Sequence, residues 1–293
     1  MHGWIIIDKP LGPGSTQIVS AVKRALRIGG YGKYKVGHGG TLDPLASGVL
    51  PVALGEATKL SGRLLDADKV YDFTIAFGAE TDTLDGEGQV IATSDRRPAR
   101  ADVEAVLPRF TGPIAQVPPS FSALKVAGKR AYDLARAGEE VSLASRAVTI
   151  HALQIIGADA DSVTLRARVS KGTYIRSLAR DIARTLESVG HVTMLHRSKA
   201  GPFSLERAIS LDKLGEAAKA RTLEEHLLPL AAGLDDIPAL PVTPDQAGAL
   251  RQGRKLIGIA AQPGLHLATD HDVPVALVEL SGDELRVVRG FNL

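Results

Sequence analysis

The sequence of 293 residues contains no cysteine, and aromatic side chains make up only 4% of it. The absence of cysteine excludes disulfides, thiol nucleophiles and thiolate metal sites, and it suits a reducing compartment. Long hydrophobic runs are missing as well. The N-terminal run WIII ends at Asp8, which is too short for a signal-peptide core or a membrane span. We therefore expect a cytoplasmic protein that does not cross a membrane.

The remaining composition is ordinary for a soluble globular protein, with 44% hydrophobic and 23% charged residues. This balance argues against a disordered or fibrous chain. The length predicts one large domain, alone or with a small one, at roughly 150 residues per domain. The stretch AAGLDDIPALPVT at residues 231–243 is loop-like and contains prolines, which is typical of a boundary. We predict a large domain over residues 1–236 and a small β-rich domain over residues 237–293.

The charge distribution says more than the net charge of +2. Residues 1–40 contain six basic residues against Asp8 alone, and residues 162–207 contain nine basic residues against three acidic ones. Two basic segments folded onto one face would bind a polyanion. Helical surfaces are also often locally charged, so both interpretations stay open at this point.

Alternation and helical spacing of apolar residues predict the main elements. Strands are expected at Trp4–Ile7, Val49–Leu54, Val70–Phe77, Ala147–Ile156 and Ser162–Ser170, and helices at Thr16–Arg27, near Arg130–Ala137 and after KGTY. The helix after KGTY has the strongest apolar stripe, formed by Ile175, Leu178, Ile182, Leu186 and Val189. Its arginines recur every four residues on a different face, at positions 176, 180 and 184.

One short stretch, VGHGGTLDPLASG at residues 36–48, places the acidic residue Asp43 between a leucine and a proline. A residue before proline is pushed out of the α region, so Asp43 is expected in a loop. The surrounding glycines let that loop turn sharply and let a ligand come close. From this stretch alone, an Asx-type turn accounts for Asp43 slightly better than a carboxylate presented to a ligand.

A carboxylate among apolar neighbours needs a cation or hydrogen-bond donors to stay ionised, and arginine has the best shape for this task. Arg176, in the first turn of the helix after KGTY, is a candidate partner for Asp43. The commoner fate of such an arginine is a solvated position on the helix surface. Spacing along the chain does not decide between these two positions.

Four blocks of the sequence, in this order and spacing, resemble the TruB-type tRNA pseudouridine synthases. They are IIIDKPLGPGST, GHGGTLDPLASGVLPVALGEATKL, VYDFTIAFGAETDTLDGEG and VSKGTYIRSLARDIA. The resemblance covers Gly3 to about Ser204 and is weaker beyond Ala239. It implies an α+β catalytic domain built on a mixed, largely antiparallel sheet flanked by helices. It also implies a small PUA-like RNA-binding domain at the C-terminus.

The resemblance further implies what individual residues do. Asp43 matches the catalytic aspartate, Arg176 the arginine that pairs with it, and Tyr71 the tyrosine that stacks on the target base. His38 matches a histidine near the flipped nucleotide, and Lys9 belongs to a KP motif that supports the active-site loop. We also expect Lys171, Tyr174 and Leu195 to bind the substrate.

The implied reaction converts uridine-55 in the T-loop of tRNA to pseudouridine. It flips the base out, breaks the bond from N1 to the ribose, rotates the base and rejoins it through C5. We expect the T-arm stem-loop of tRNA as partner, no cofactor, no metal and a monomeric protein. The resemblance does not decide whether Asp43 attacks C1′ or removes the C2′ proton. It also leaves open the preferred tRNA species and whether the short C-terminal domain is complete.

Two other functions compete with this one. A glycoside hydrolase would need a second acid across the scissile bond. Asp82, Asp85 and Glu87 are available, but their turn-rich segment predicts a solvated acidic loop. A non-catalytic module that binds or folds tRNA is compatible with the basic segments. Such a module would not need the Asp43 carboxylate.

Overall fold

The computed structural model describes residues 1–122, 124–126, 129–132, 137 and 143–293. Its largest element is a mixed sheet, in which most neighbouring strands are antiparallel. The spatial order is β14 (Ala208–Ile209), β1 (Gly3–Lys9), β3 (Ala46–Leu54), β12 (Gly190–Ala200), β4 (Lys69–Phe77), β11 (Ser162–Val169), β10 (Arg146–Ala158) and β7 (Gly112–Gln116). Three short strands pair alongside, namely β2 (Val36–His38), β13 (Phe203–Ser204) and β15 (Leu228–Pro229).

Helices cover this sheet, and a second sheet follows it in the chain. The helices are α1 (Ser15–Ile28), α2 (Ser61–Asp66), α3 (Arg100–Val106), α4 (Ile175–Thr185), α5 (Leu211–Ala220) and α6 (Pro244–Arg251). The second sheet has the order β16 (Ala239–Pro241), β18 (Gly264–Asp270), β19 (Val273–Ser281), β20 (Glu284–Gly290) and β17 (Leu256–Ile257). Two hairpins pair β5 (Ala79–Thr81) with β6 (Val90–Thr93), and β8 (Lys125–Val126) with β9 (Lys129–Arg130).

This architecture confirms the α+β class, the mixed sheet and the β-rich C-terminal region. The predicted strand at Trp4–Ile7 lies inside β1, and the predicted helix at Thr16–Arg27 lies inside α1. The helix expected near Arg130–Ala137 falls largely outside the described residues. The boundary at residues 236 and 237 stays a prediction.

One face of the large sheet carries two neighbouring cores. Helices α1 and α5 pack on one core, and α3 and α4 pack on the other. Tyr71 on β4 and Leu195 on β12 are partly buried and contact both cores. These two residues therefore lie at the seam between the two halves of the sheet.

Strand β3 connects the two halves by changing partners along its length. Its first residues, Ala46 to Gly48, pair in parallel with β12, and residues Gly48 to Leu54 pair antiparallel with β1. The loop before β3 is consequently placed at the same seam. That loop contains Asp43.

The opposite face of the sheet packs against the C-terminal region. Trp4 is fully buried there, and its indole N–H donates to the carbonyl of Leu230 at 3.1 Å. Leu267, Leu277 and Phe291 of the C-terminal region belong to the same hydrophobic cluster as Trp4. A continuous core therefore joins the two sheets.

The apolar stripe of α4 is shorter than predicted. The helix ends at Thr185, so Leu186 and Val189 lie beyond it. Leu186 is still buried, whereas Val189 is only partly buried. Within the described part of the chain, we find no helix with the length and apolar character needed to span a bilayer.

Candidate active site

The Asp43 loop spans residues 39–45 between β2 and β3. Gly40 and Gly48 adopt the left-handed conformation, with φ of 130° and 99°. A Cβ atom on Gly48 would lie 2.3 Å from the backbone oxygen of Arg197, so a larger residue would push β3 away from β12. The glycines noted in the sequence thus bring the loop against β12.

Buried cations hold the backbone of this loop. The Arg197 side chain on β12 is almost fully buried and donates to the carbonyls of Val49 at 2.8 Å and of Gly40 and Thr41 at 3.3 Å. Lys9 is fully buried at the end of β1, and its Nζ donates to the carbonyl of Pro44 at 3.3 Å. These charge-assisted hydrogen bonds fix the loop on both sides of Asp43.

Arg176 forms the ion pair with Asp43. Its Nη2 lies 2.9 Å from Oδ2 of Asp43, and its side chain is only 8% exposed, whereas that of Asp43 is 43% exposed. Among the described residues, no backbone N–H donates to the Asp43 carboxylate, so the Asx-type turn is not formed. The arginine is buried and the carboxylate remains open to solvent, as a group that acts on a bound molecule must be.

Asp85 is a second carboxylate on the same guanidinium. Its Oδ2 lies 3.2 Å from Nη1 of Arg176, and its side chain is 10% exposed. The expectation that the acidic turn is solvated is therefore wrong for Asp85. The backbone of the preceding residue, Leu84, is in the left-handed region with φ of 63°, and its carbonyl accepts from the N–H of Val192 at 3.0 Å. This pairing with β12 turns Asp85 inward.

Replacing Asp85 with asparagine is expected to lower kcat/KM roughly 10- to 100-fold, since a hydrogen bond to a charged group contributes about 1.5–3 kcal/mol. The asparagine oxygen would still accept from Arg176, but the ion pair that sets the orientation of the guanidinium would be lost. The measurements are the rate of uridine conversion, which is the reaction that the family resemblance implies, and the Tm of the variant. Asp82→Asn, in the same turn but without a contact to Arg176, should stay within threefold of wild type. Equal losses in the two variants would contradict a specific role of Asp85.

A cleft of about 290 Å³ opens above the ion pair. Asp43 and Arg176 lie on its wall, together with three predicted site residues, Tyr71, Tyr174 and Leu195. The cleft is therefore the place where five of the predicted site residues meet. Its position at the seam of the sheet explains why both halves of the chain contribute to it.

Tyr174 immediately precedes α4, and its backbone is held by one buried side chain. The amide of Gln116, which is 1% exposed, donates to the carbonyl of Tyr174 at 3.1 Å and accepts from its N–H at 2.8 Å. The guanidinium of Arg146 lies 4.8 Å from the centre of the Tyr174 ring, in a cation–π contact. The start of α4, and with it Arg176, is thereby fixed relative to β7 and β10.

The other three predicted site residues lie outside the cleft wall. Lys9 lies beneath the loop, as described. His38 is on β2, partly buried, and burial together with nearby Arg197 lowers its pKa. Lys171 is exposed and forms an ion pair with Asp66 at 3.1 Å. Direct contacts of these three side chains with the substrate stay predictions.

Lys69, at the start of β4, is a further buried cation on the cleft wall. Its Nζ donates to the carbonyls of Leu64, Leu65 and Ala67 at 2.6–2.8 Å, which closes the C-terminal end of α2. Burial lowers the pKa of Lys69 to about 8. It also lowers the pKa of Lys9 to about 8, although the charge of Asp43 acts in the opposite direction.

The lowered pKa of Lys69 has a consequence for stability at alkaline pH. Between about pH 8 and the ordinary lysine pKa of 10.5, the unfolded chain retains a proton that native Lys69 has lost. The contribution of this group to the free energy of unfolding therefore rises with pH in that window. The free energy of unfolding is measured in urea at pH 7.5 and at pH 10. Its change between these two pH values should be more favourable to the folded state for wild type than for Lys69→Met. Parallel changes in the two proteins would contradict the assignment.

The structure adds residues that the sequence interpretation missed. The tripeptide Thr-Leu-Asp occurs twice, at residues 41–43 and 83–85, and both aspartates contact Arg176. This repetition was an available signal for Asp85. For Arg197 the signal was a charge within a strand, whereas no local feature marked Gln116.

Comparison with known proteins identifies the family of the chain. Residues 24–175 match the model of the TruB family pseudouridylate synthase N-terminal domain, and residues 176–235 match the tRNA pseudouridylate synthase B C-terminal domain. The chain is 64% identical to a tRNA pseudouridine synthase B of Zymomonas mobilis, over 100% of this chain and 96% of the relative. It is 65% identical to that of Novosphingobium aromaticivorans, over 100% and 98%.

A solved structure has the same fold over nearly the whole chain. The structure of an H/ACA RNP bound to a substrate RNA containing 2′-deoxyuridine aligns with a TM-score of 0.75 and 25% identity, over 99% of this chain and 85% of that one. The match of the family models to more than half of the chain, together with the high identity of its full-length relatives, shows the family. The chain belongs to the TruB family of pseudouridylate synthases, enzymes that convert uridine in RNA to pseudouridine.

Proposed function

We propose that this enzyme acts on the T-loop of tRNA, at uridine-55, with Asp43 as the group that reacts at the ribose. The observation that carries the proposal is the pair of Asp43 and Arg176 at 2.9 Å on the wall of a cleft that also contains Tyr71. The names of the two relatives, both tRNA pseudouridine synthase B, support tRNA as the substrate.

Asp43 suits the first step of the reaction. The bond from N1 of uracil to C1′ must break, and a carboxylate can assist either by attacking C1′ or by removing the proton at C2′. One oxygen, Oδ2, is held by Arg176, and the exposure of the side chain leaves the group accessible from the cleft. Both routes use the same carboxylate, and both are compatible with this arrangement.

Tyr71 suits the second step, in which the detached base rotates before C5 bonds to C1′. An aromatic ring gives the base a face on which it stays stacked, a contact that contributes about 1 to 3 kcal/mol in nucleic-acid complexes. Leu195 and Tyr174 line the same cleft. The new bond leaves a proton on C5, and we assign its removal to Tyr71 as general base. No electron transfer or phosphate donor enters this scheme, so we propose that no cofactor is used.

The target uridine must be extruded before it reaches Asp43, which costs a few kcal/mol of stacking. RNA backbone contacts offset that cost. Exposed cations of the first basic segment suit this role, because no ion pair with a described residue occupies them: Lys23, Arg24, Arg27, Lys33 and Lys35. In the second segment, Arg166, Arg168 and Lys171 are already paired with Asp72, Asp68 and Asp66. We therefore place the first segment at the RNA backbone.

The C-terminal region is proposed to be a PUA-like RNA-binding domain that starts at residue 237. Its sheet begins at Ala239, and Thr243 caps α6 by accepting from the N–H of Gln246. The shared core with Trp4 would keep this domain in one orientation relative to the cleft. We propose a monomer that works in the cytoplasm, where tRNA is processed.

The test is tritium release from C5. The protein, in EDTA and without cofactors, is incubated with a tRNA transcript that carries [5-³H]uridine. We expect one equivalent of tritium to be released per transcript, and none when uridine-55 is replaced by cytidine. Binding of the transcript without release would instead favour a module that only binds or folds tRNA. Release that persists in the cytidine variant would reject the assigned position.

A further inference from the structure

Four buried polar side-chain atoms lack a hydrogen-bond partner in the described part of the protein. They are His38 Nδ1, Ser61 Oγ, Ser122 Oγ and Arg146 Nε. Of these four residues, only Ser122 lines the cleft that contains Asp43. Burying a hydroxyl without a partner costs free energy, so an unpaired hydroxyl beside a substrate cleft calls for an explanation.

The position of Ser122 is set by the same guanidinium that pairs with Asp43. The residue is 5% exposed and follows Phe121, whose carbonyl accepts from Nη2 of Arg176 at 3.0 Å. The Ser122 N–H donates to the carbonyl of Ser120, and its own carbonyl accepts from the N–H of Tyr132, both at 3.0 Å. The backbone groups of Ser122 are thus satisfied, and only the hydroxyl is left over.

The chemistry of uracil supplies what such a hydroxyl lacks. Aromatic rings can cover the faces of the base, but its carbonyl oxygens O2 and O4 need donors when the base is buried. When the bond to C1′ breaks, negative charge spreads onto these oxygens. A donor placed beforehand at one of them stabilises the detached base more than the intact nucleotide. A serine hydroxyl can act as such a donor.

We propose that the Ser122 hydroxyl donates a hydrogen bond to a carbonyl oxygen, O2 or O4, of the extruded uracil. The inference rests on the proposed function of the cleft and adds a base-binding residue to it. The Oγ atom lies below the surface of the cleft, so the contact requires the hydroxyl to rotate about χ1 toward the bound base. Uracil binding then gives the hydroxyl a hydrogen-bond partner.

The first test uses Ser122→Ala and, as a matched control, Ser61→Ala, which removes a buried unpaired hydroxyl outside the cleft wall. Both variants should have a Tm equal to or above that of wild type, because each loses an unsatisfied group. Only Ser122→Ala should lower kcat/KM for tritium release, by about 3- to 10-fold, the effect of one neutral hydrogen bond. A Tm below wild type would show a structural hydroxyl, and an unchanged kcat/KM would show no contact. Either result counts against the inference.

The deciding test pairs the variant with modified substrates. T-arm RNAs carry uridine, 2-thiouridine or 4-thiouridine at the target, since sulfur accepts hydrogen bonds more weakly than oxygen. Sulfur at the contacted position should lower the affinity of wild type by about 3- to 10-fold and leave that of Ser122→Ala unchanged. Equal effects of both thio substitutions on wild type and variant would overturn the inference.

These experiments distinguish a failure of the proposed function from a failure of the inference about Ser122. Wild type that releases tritium normally, with a Ser122→Ala variant that does the same, contradicts only the role of Ser122. Wild type that releases no tritium from uridine RNA contradicts the proposed function, and the inference about Ser122 falls with it. A target of 2′-deoxyuridine serves as a further control. It lacks the 2′-hydroxyl of the ribose and leaves the base unchanged, so it should lower the RNA affinity of wild type and of Ser122→Ala equally. If Ser122→Ala alters the effect of the 2′-deoxy substitution but not that of either thio substitution, the inference is also overturned.

Discussion

Replacing Asp43 with asparagine is expected to lower the rate of pseudouridine formation by roughly 10⁴-fold or more, the usual scale for loss of a group that reacts directly with substrate. Asparagine keeps the shape of the side chain but can neither attack C1′ nor accept a proton from C2′. Its amide oxygen still accepts from Arg176, so the loop and the cleft should stay in place. Single-turnover tritium release from a T-arm RNA measures the loss.

Two measurements separate catalysis from binding and folding in this variant. Its affinity for the T-arm RNA, measured by fluorescence anisotropy, should stay within about threefold of wild type, because no step of binding needs the charge. Asp95→Asn, at an exposed aspartate on the surface, should keep full activity. Retention of more than a tenth of the activity by the Asp43 variant would contradict the assignment of the reacting group. Loss of affinity in parallel with the rate would point to a role in RNA binding.

Local sequence patterns were enough to predict those elements whose ends are not shifted by contacts with distant parts of the chain. Strand β1 and helix α1 extend at most two residues beyond their predicted limits, because apolar spacing and the flanking turn residues act locally. Helix α4 was predicted too long for the same reason. Its apolar spacing continues to Val189, but Glu187 adopts a left-handed conformation with φ of 55°, which ends the helix.

The pairing of Asp43 with Arg176 was predictable only in part. The stretch around Asp43 by itself slightly favours an Asx-type turn, and Arg176 is only a candidate partner on the residues alone; the family resemblance is what implies a catalytic aspartate paired with this arginine. No spacing argument could have brought them together, since the contact depends on β3 and β12 pairing at the seam of the sheet. Asp85 was misplaced for a related reason. Its turn is rich in polar residues, and only the distant contact of Leu84 with Val192 turns it inward.

The burial of three cations could not be predicted from the sequence. Lys9, Lys69 and Arg197 are nearly inaccessible to water, and each is satisfied by backbone carbonyls. Lys9 and Arg197 belong to the two basic segments for which charge counting left open a surface that binds RNA or an ordinary charged surface. Burial places Lys9, Lys69 and Arg197 around the floor of the cleft, and we propose that the exposed lysines and arginines of the first basic segment contact the RNA backbone. The same charge therefore has different roles that depend on burial.

Replacing Arg176 with lysine is expected to lower kcat/KM roughly 10²- to 10³-fold, although the positive charge is kept. The guanidinium contacts Asp43 and Asp85 through different nitrogens, and it donates to the carbonyls of Thr83 at 2.8 Å and Phe121 at 3.0 Å. A lysine ammonium is a compact point charge that cannot reach these four acceptors in one plane. Asp43 would keep a cation nearby but lose its fixed direction toward the ribose. Tritium release and RNA affinity are measured as for the Asp43 variant.

The control for this substitution lies on the same helix. Arg184 pairs with Glu80 at 2.6 Å and does not line the cleft, so Arg184→Lys should change kcat/KM by less than twofold. If Arg176 acts mainly by its geometry, kcat should fall in Arg176→Lys while RNA affinity and the fold are maintained. If its charge alone mattered, lysine would restore most of the activity that Arg176→Met loses. Rescue by lysine would therefore contradict the role of the planar guanidinium, and failure of lysine to rescue would support it.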